Sequence, residues 1–460
     1  MVFFKKIQHL FIIWAAVTFI SACAPHQQFR TEIEKICAYT KDENNCITSA
    51  RQSHFPVEDN IKDGQYFLNF VELDDQGHLW DKEQLEKVIA HANNIAANED
   101  IVIVTYVHGW KHSAQSKKDK PDTNIAYFRQ TLRELSQVEF ATRGKDARTI
   151  FGVYIGWRGG SVTLPGLKEL TIWDRKSTAK EVGHGALTQV LSKLNHVKRV
   201  RQAIHGPTVD SRFVTIGHSL GGVALYSSVS QLLQNKFVET TDASVSDYVQ
   251  GFGDLIVLIN PAFEANQYSA LKNLAGTRPT YLEGQRPVLA ILTSEADWAT
   301  KFIFPLGMTF STAFENHRTT KDGYNQHAGD ITTVGHFEGY ITHRLKPLSD
   351  TPIDPEVATC DRAFGDSVKF MNNNLNAIKD NISSLATAWD KKTDKLQTLP
   401  FTETKLEPTE NAVLRHPYLN IMVEEELMKG HNEICDPRVA NFLKELIVLS
   451  TPKPKQKRKP

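Results

Sequence analysis

Ile101-Val-Ile-Val-Thr-Tyr-Val107 is apolar on both faces and stops abruptly at His108-Gly109-Trp110, the pattern of an interior parallel strand. Before it, Tyr66 to Leu73 predicts a strand and Asp74-Asp-Gln-Gly77 a turn. Asp81 to Ala97 predicts a helix with Leu85, Val88, Ile89 and Ala92 on one face. After it, Asp122 can cap a helix running to about Val138, with Ile125, Phe128, Leu132 and Leu135 in helical register. Further strands are expected at Thr149–Ile155, Arg212–Gly217, Leu255–Ile259 and Val288–Leu292. Strands that alternate with helices imply parallel crossovers. The expected class is therefore α/β, a mostly parallel central sheet with helices on both faces. In such a sheet the loops at the carboxyl ends of the strands converge, and here they carry His108, Ser219, Asn260, Glu264 and Asp297.

The periodicity weakens elsewhere. Residues 161–205 read as an insertion rich in helix formers. Residues 345–415 read as an inserted cap: a proline-punctuated linker from Pro347 to Pro355, a polar helical stretch over 364–397 and a loop-like stretch over 399–410. Order returns with a strand at His416–Val423 and a final helix from Asp436 to Leu449. The main domain is thus expected over 65–450. A polar arm with few periodic apolar positions precedes it at 23–64, and a disordered lysine- and proline-rich tail follows at 451–460.

Composition changes this picture little. The 460 residues are 41% hydrophobic and 23% charged, as suits a large globular core, and the net charge of 0 gives no sign of a nucleic-acid groove. The N-terminus says more. Lys5 and Lys6 precede an apolar run, Ile7 to Ile20, that is short for a membrane span and ends in Ser21-Ala22-Cys23, so residues 1–22 read as a cleaved export signal. The sequence around Cys23 resembles a bacterial lipobox. That resemblance implies a diacylated Cys23 at the mature N-terminus and a place in the bacterial cell envelope. Ala24, where an aspartate tends to retain lipoproteins in the inner membrane, implies the outer membrane facing the periplasm.

Export favours disulfides, and Cys37, Cys46, Cys360 and Cys435 remain for pairing. Of the three possible pairings, Cys37–Cys46 as a local staple with Cys360–Cys435 is favoured, because nearby partners meet first. No C-x-x-C pair occurs, and nothing in the sequence calls for a metal or a cofactor.

The stretch with the most chemistry is Gly217-His-Ser219-Leu-Gly221-Gly222, between an apolar strand and an apolar helix. Glycines two residues to either side of a serine permit a sharp strand-to-helix turn that projects the hydroxyl above the sheet. The N–H of Leu220 then points to where an oxyanion would form. A serine hydroxyl is almost never ionised at neutral pH, so it needs a base, and a histidine needs a carboxylate to orient it. Asp297, after the strand that follows the elbow by two, is the expected acid, with Glu264 as runner-up. Two Gly-His stretches compete for the base: Gly430-His431 lies between a strand and an amphipathic helix and is preferred, and Gly335-His336 is the alternative. His343 reads as structural.

With these residues in place, residues 66–345 and 416–450 resemble the α/β-hydrolase superfamily, in particular bacterial serine esterases and lipases. The resemblance implies a Ser219, Asp297, His431 triad and an oxyanion hole from the N–H groups of Leu220 and Trp110. Trp110 stands where many lipases carry another glycine. It further implies a membrane-anchored hydrolase acting on carboxylic esters of small molecules or lipids. The contrasting expectation is an envelope lipoprotein that keeps the frame for binding or scaffolding without turnover.

Overall fold

The structure is a computed structural model that describes residues 25–39, 46–55, 64–116, 122–161, 171–206, 208–241, 248–321, 323–349, 364–390 and 395–450. The expected signal segment, Cys23, Cys360 and the tail lie outside these residues.

Twelve strands among the described residues form one sheet: β1 (Glu32–Ala38), β2 (Ser49–His54), β3 (Tyr66–Glu72), β4 (Ile101–Val107), β5 (Thr149–Gly156), β6 (Arg212–His218), β7 (Leu255–Ile259), β8 (Leu289–Ser294), β9 (His343–Pro347), β10 (Leu399–Pro400), β11 (Thr404–Pro408) and β12 (Tyr418–Val423). Their spatial order is β1-β2-β3-β5-β4-β6-β7-β8-β12-β9-β11-β10. From β3 to β9 every neighbouring pair is parallel; antiparallel pairing is confined to β2 with β3 and to β9, β11 and β10. The chain passes from β3 over to β4, returns to β5 between them, then leaves on the far side of β4 to β6. The order therefore reverses beside β4, and a crevice opens at the carboxyl ends of β4 and β6.

The sheet is mostly parallel because helices cover both faces, which is why all seven residues of β4 are buried. One face packs α1 (Lys82–Asn98), α3 (Ile172–Val182), α4 (Thr188–His205), α5 (Leu220–Thr241) and α6 (Ala265–Gly276) into one apolar cluster. The other packs α2 (Thr123–Arg143), a long helix at Phe364–Asp390 and the last helix, Pro437–Leu449, into a second. Local chemistry starts these helices where expected. Asp81 accepts the N–H of Glu83, Asp122 that of Asn124 and Asp436 that of Arg438, each satisfying a donor that has no partner within the helix. None of the helices among the described residues is long and apolar enough to cross a membrane.

Two expectations require correction. The segment expected as a spacer arm contributes β1 and β2 to the sheet, and Cys37 and Cys46 are joined by a disulfide between them. Arg30 locks this edge down: fully buried, it lies 3.9 Å over the Phe70 ring and donates to the carbonyls of Ala114, Cys46 and Ile47 at 2.8, 3.0 and 2.7 Å. The described parts of the 345–415 region, expected as a cap, belong to the sheet edge and the second helical layer. The region's ends supply β9, β10 and β11, and the loop-like stretch expected at 399–410 is a hairpin on the sheet edge. Its helix lies in the second helical layer, where Arg286 pairs with Asp390 at 2.5 Å and Asn381 bonds Glu445 at 2.8 Å. Cys435 is disulfide-bonded, and its expected partner Cys360 is outside the described residues.

Candidate active site

At the end of β6 the backbone of Ser219 turns to φ +55°, a left-handed conformation that a serine adopts only when its surroundings enforce it. The surroundings do so. The Ser219 N–H donates to the Ile259 carbonyl at 3.0 Å, while the Ser219 carbonyl accepts the N–H groups of Gly222 and Val223 at 3.0 and 3.3 Å. Gly221 makes the bend possible, since a Cβ there would stand 2.0 Å from the Val107 carbonyl oxygen.

The hydroxyl raised by this turn meets a histidine. Ser219 Oγ lies 2.6 Å from His431 Nε2, and His431 Nδ1 lies 2.8 Å from Asp297 Oδ2. With Nδ1–H donated to the carboxylate, Nε2 presents its lone pair to the hydroxyl. Asp297 is fully buried beyond the end of β8 and also accepts the Thr300 N–H at 3.1 Å. Burial by itself would raise its pKa. The hydrogen bond and charge of His431, with help from Thr300, outweigh that, and the carboxyl is held below its usual range.

The His431 loop, beyond β12, is held by its own carbonyl oxygen. That oxygen accepts from His218 Nε2 at 3.0 Å and from Asn260 Nδ2 at 2.9 Å. Asn260 is itself fully buried at φ +45°, and its Oδ1 accepts the Ser294 N–H at 2.9 Å. One amide thus ties β7, β8 and the histidine loop together. Burial, reinforced by the neighbouring His431, lowers the His218 pKa to about 3, so this ring stays neutral while it serves as a clamp.

The other expected residues are placed as follows. His336 Nε2 is bonded to Thr300 Oγ1 at 3.1 Å, and desolvation lowers its pKa to about 4. Glu264 pairs with Lys176 at 2.6 Å and Lys180 at 3.5 Å, so it is committed away from His431. His343 sits in β9 bonded to Thr342 Oγ1 at 2.9 Å. His108 is buried under Trp157: its Nδ1 contacts the Gly109 carbonyl at 2.9 Å, its Nε2 accepts the Trp157 N–H at 3.1 Å, and the two rings are stacked 5.5 Å apart. Gly109 brings this loop against Ser219, for a Cβ there would be 2.8 Å from the Ser219 Cβ. Trp110 and Leu220 both line the space in front of Ser219, and neither backbone N–H has an acceptor among the described residues.

That space is a cavity of about 410 Å³, walled mainly by Trp110, Ile172, Trp173, Leu220, Ile303 and Phe304. No described residue of 345–415 lines it. The walls come instead from α3, in the 161–205 insertion, and from the helical turn Ala299–Ile303 with the helix α7 (Phe304–Ser311) that continues it. The charged wall residue Lys176 has its Nζ against Glu264 and 3.2 Å from Met308 Sδ, and burial lowers its pKa to about 8 despite the carboxylate. Sequence reasoning missed Trp173, Lys176 and the His218 clamp; the only signal was an apolar Ile172-Trp173 pair in a segment with no clear role. Among the described residues one group has metal-compatible spacing, Glu315, His317 and Asp330, and there His317 Nε2 already engages Asp330 at 2.7 Å. Compared with protein-family models, curated proteins and solved structures, the chain matches none of them.

Proposed function

We propose that the protein is a serine hydrolase that cleaves carboxylic esters through an acyl-enzyme, held at the bacterial envelope by a lipid on Cys23. The observation that carries this reading is the continuous relay from Ser219 Oγ through the His431 ring to the buried Asp297 carboxylate, at 2.6 and 2.8 Å. Such a relay answers a chemical need: His431 Nε2 takes the hydroxyl proton as Ser219 attacks the ester carbonyl, and Asp297 stabilises the imidazolium that results. The N–H groups of Leu220 and Trp110 are the donors for the developing oxyanion. His431 returns its proton to the leaving alkoxide, and the same base then activates the water that frees the enzyme.

The cavity supports an apolar acyl group. Its volume of about 410 Å³ falls within the range of small-molecule sites, and its indole, phenyl and aliphatic walls offer little to a charged chain. A fluorophosphonate probe tests the reading directly. Stoichiometric labelling of Ser219, lost in Ser219→Ala, is the expected result. Folded protein that is not labelled and hydrolyses no ester in a chain-length panel would leave the binding or scaffolding role instead.

A further inference from the structure

The helical segment that walls the cavity has a second face. Asp297, Thr300, Phe304, Met308 and Thr312 are buried, whereas Trp298, Phe302, Leu306, Phe310 and Phe314 are 63, 55, 67, 77 and 99% exposed. Trp298, Phe302, Leu306 and Phe310 recur at every fourth position along the helical segment and so share one stripe, and Phe314 follows at the same spacing in the turn beyond Ser311. Large apolar side chains are commonly exposed singly, but five in line form a surface that water does not favour. Between Trp298 and Phe314 the sequence holds one charged residue, Lys301, and no acid. Aromatic and leucine side chains on one face beside a basic residue are what a helix needs to lie in the headgroup boundary of a lipid bilayer.

The start of the chain indicates which way a membrane would lie. Pro25 and His26 are exposed and border one shallow pocket with Leu73, Ser113, Gly156 and Trp157, and the His26 ring is 4.9 Å from that of Trp80. These residues follow the carboxyl ends of β3, β4 and β5, which run parallel to β6. Pro25 therefore emerges on the rim that carries Ser219. Two residues of chain reach at most about 7 Å, so a lipid on Cys23 would enter a bilayer on that same side.

We propose that the stripe Trp298, Phe302, Leu306, Phe310 and Phe314 is a bilayer-docking surface that lays the active-site rim on the membrane holding the anchor. Esters dispersed in that bilayer are then the substrates that reach the cavity. The inference rests on the hydrolase and anchor reading for its substrate, but the docking is measurable without catalysis.

The test uses the full chain on vesicles of phosphatidylglycerol and brominated phosphatidylcholine, whose bromines quench tryptophan within the acyl region. Wild type should lose more fluorescence than Trp298→Phe, the difference reporting Trp298 itself. A variant with Phe302, Leu306, Phe310 and Phe314 all changed to Ser should lose this difference. It should keep fluorophosphonate labelling and turnover of a water-soluble short-chain ester, yet hydrolyse a vesicle-borne ester about tenfold more slowly or worse, equivalent to one step of affinity. Equal quenching of wild type and Trp298→Phe overturns the proposal. So does stripe-dependent self-association without lipid in place of quenching, which would make a second copy the occupant. Equal loss on soluble and vesicle-borne esters also overturns it. Trp298 quenching in a protein that no fluorophosphonate labels would uphold the docking surface and reject the hydrolase.

Discussion

Two loops of this protein present Gly-His beside the same aspartate, and they have been put to different ends. His431 is one-fifth exposed, joins Ser219 to Asp297 and has its carbonyl gripped by His218 and Asn260. His336 is partly buried behind Thr300, the residue that hands its N–H to Asp297, and its ring is held neutral with a pKa of about 4. The local sequences share Gly-His and a glutamate two residues on. What differs is the strand each loop follows: β12 lies directly beside β8, so its loop crosses the end of the sheet toward Ser219. The residues around His336 instead tuck under β7 and β12, where the Val334 N–H bonds Phe263 and the Asn420 side chain bonds the Val334 carbonyl. Which histidine reaches Ser219 is set by the strand order of the sheet rather than by its immediate neighbours.

The sharpest way to break the comparison is to exchange the losses. His431→Ala should lower kcat/KM toward an ester by on the order of 10⁵, with folding intact by circular dichroism. His336→Gln should leave the rate within about threefold of wild type. The reverse pattern would move the base to His336. Asp297→Asn should cost on the order of 10⁴, because an amide can hold His431 in the wrong tautomer; steady-state kinetics decide. Asn260→Ala is expected to lower kcat by roughly a hundredfold with little change in KM, since it frees the His431 loop without touching substrate, and a misplacement of about 1 Å has that effect.

The remaining effect is on stability rather than rate. Burial lowers the pKa of His108 and His416 to about 4 and of His218 and His343 to about 3, and desolvation takes His336 to about 4. Below pH 6.5 the unfolded chain binds protons that these rings in the fold refuse. The histidines should therefore leave stability unchanged between about pH 7 and 8 and lower it progressively from 6.5 toward 4 and, for His218 and His343, toward 3, by at most about 1.4 kcal/mol per pH unit for each ring. Thermal melts across that range, compared with the same series for His336→Gln, measure the share of one ring.

The central strands and the elbow were legible because their sequences have one reading. Ile101–Val107 is apolar on both faces only if helices cover both, and Gly221 leaves room for nothing else beside the Val107 carbonyl. The sheet edges were not. β1 reads Glu-Ile-Glu-Lys-Ile-Cys-Ala with mostly exposed positions, and β10, the strand at the other edge, is only Leu399–Pro400 and ends in a proline of the kind edge strands tolerate. Both look like loop without their partners. The cavity walls were hidden for a related reason. Trp173 and Phe304 have ring centroids 6.0 Å apart, yet they are brought together from segments with no local signal of one another. The clamp on His431 was equally silent, since Asn260 reads as a strand terminator until its amide is seen between two strands and a loop.

The place of β12 sets an order of events. It is inserted between β8 and β9, both of which precede it in the chain, so these two strands lie apart until β12 arrives. Ser219 and Asp297 are synthesised long before His431, which follows them by 212 and 134 residues. A growing chain folding from its N-terminus would thus carry Ser219 without His431, and at the same time a β8 edge open to pairing with the wrong strand. One late segment closes both gaps. The step that seals the sheet is also the step that brings His431 to Ser219.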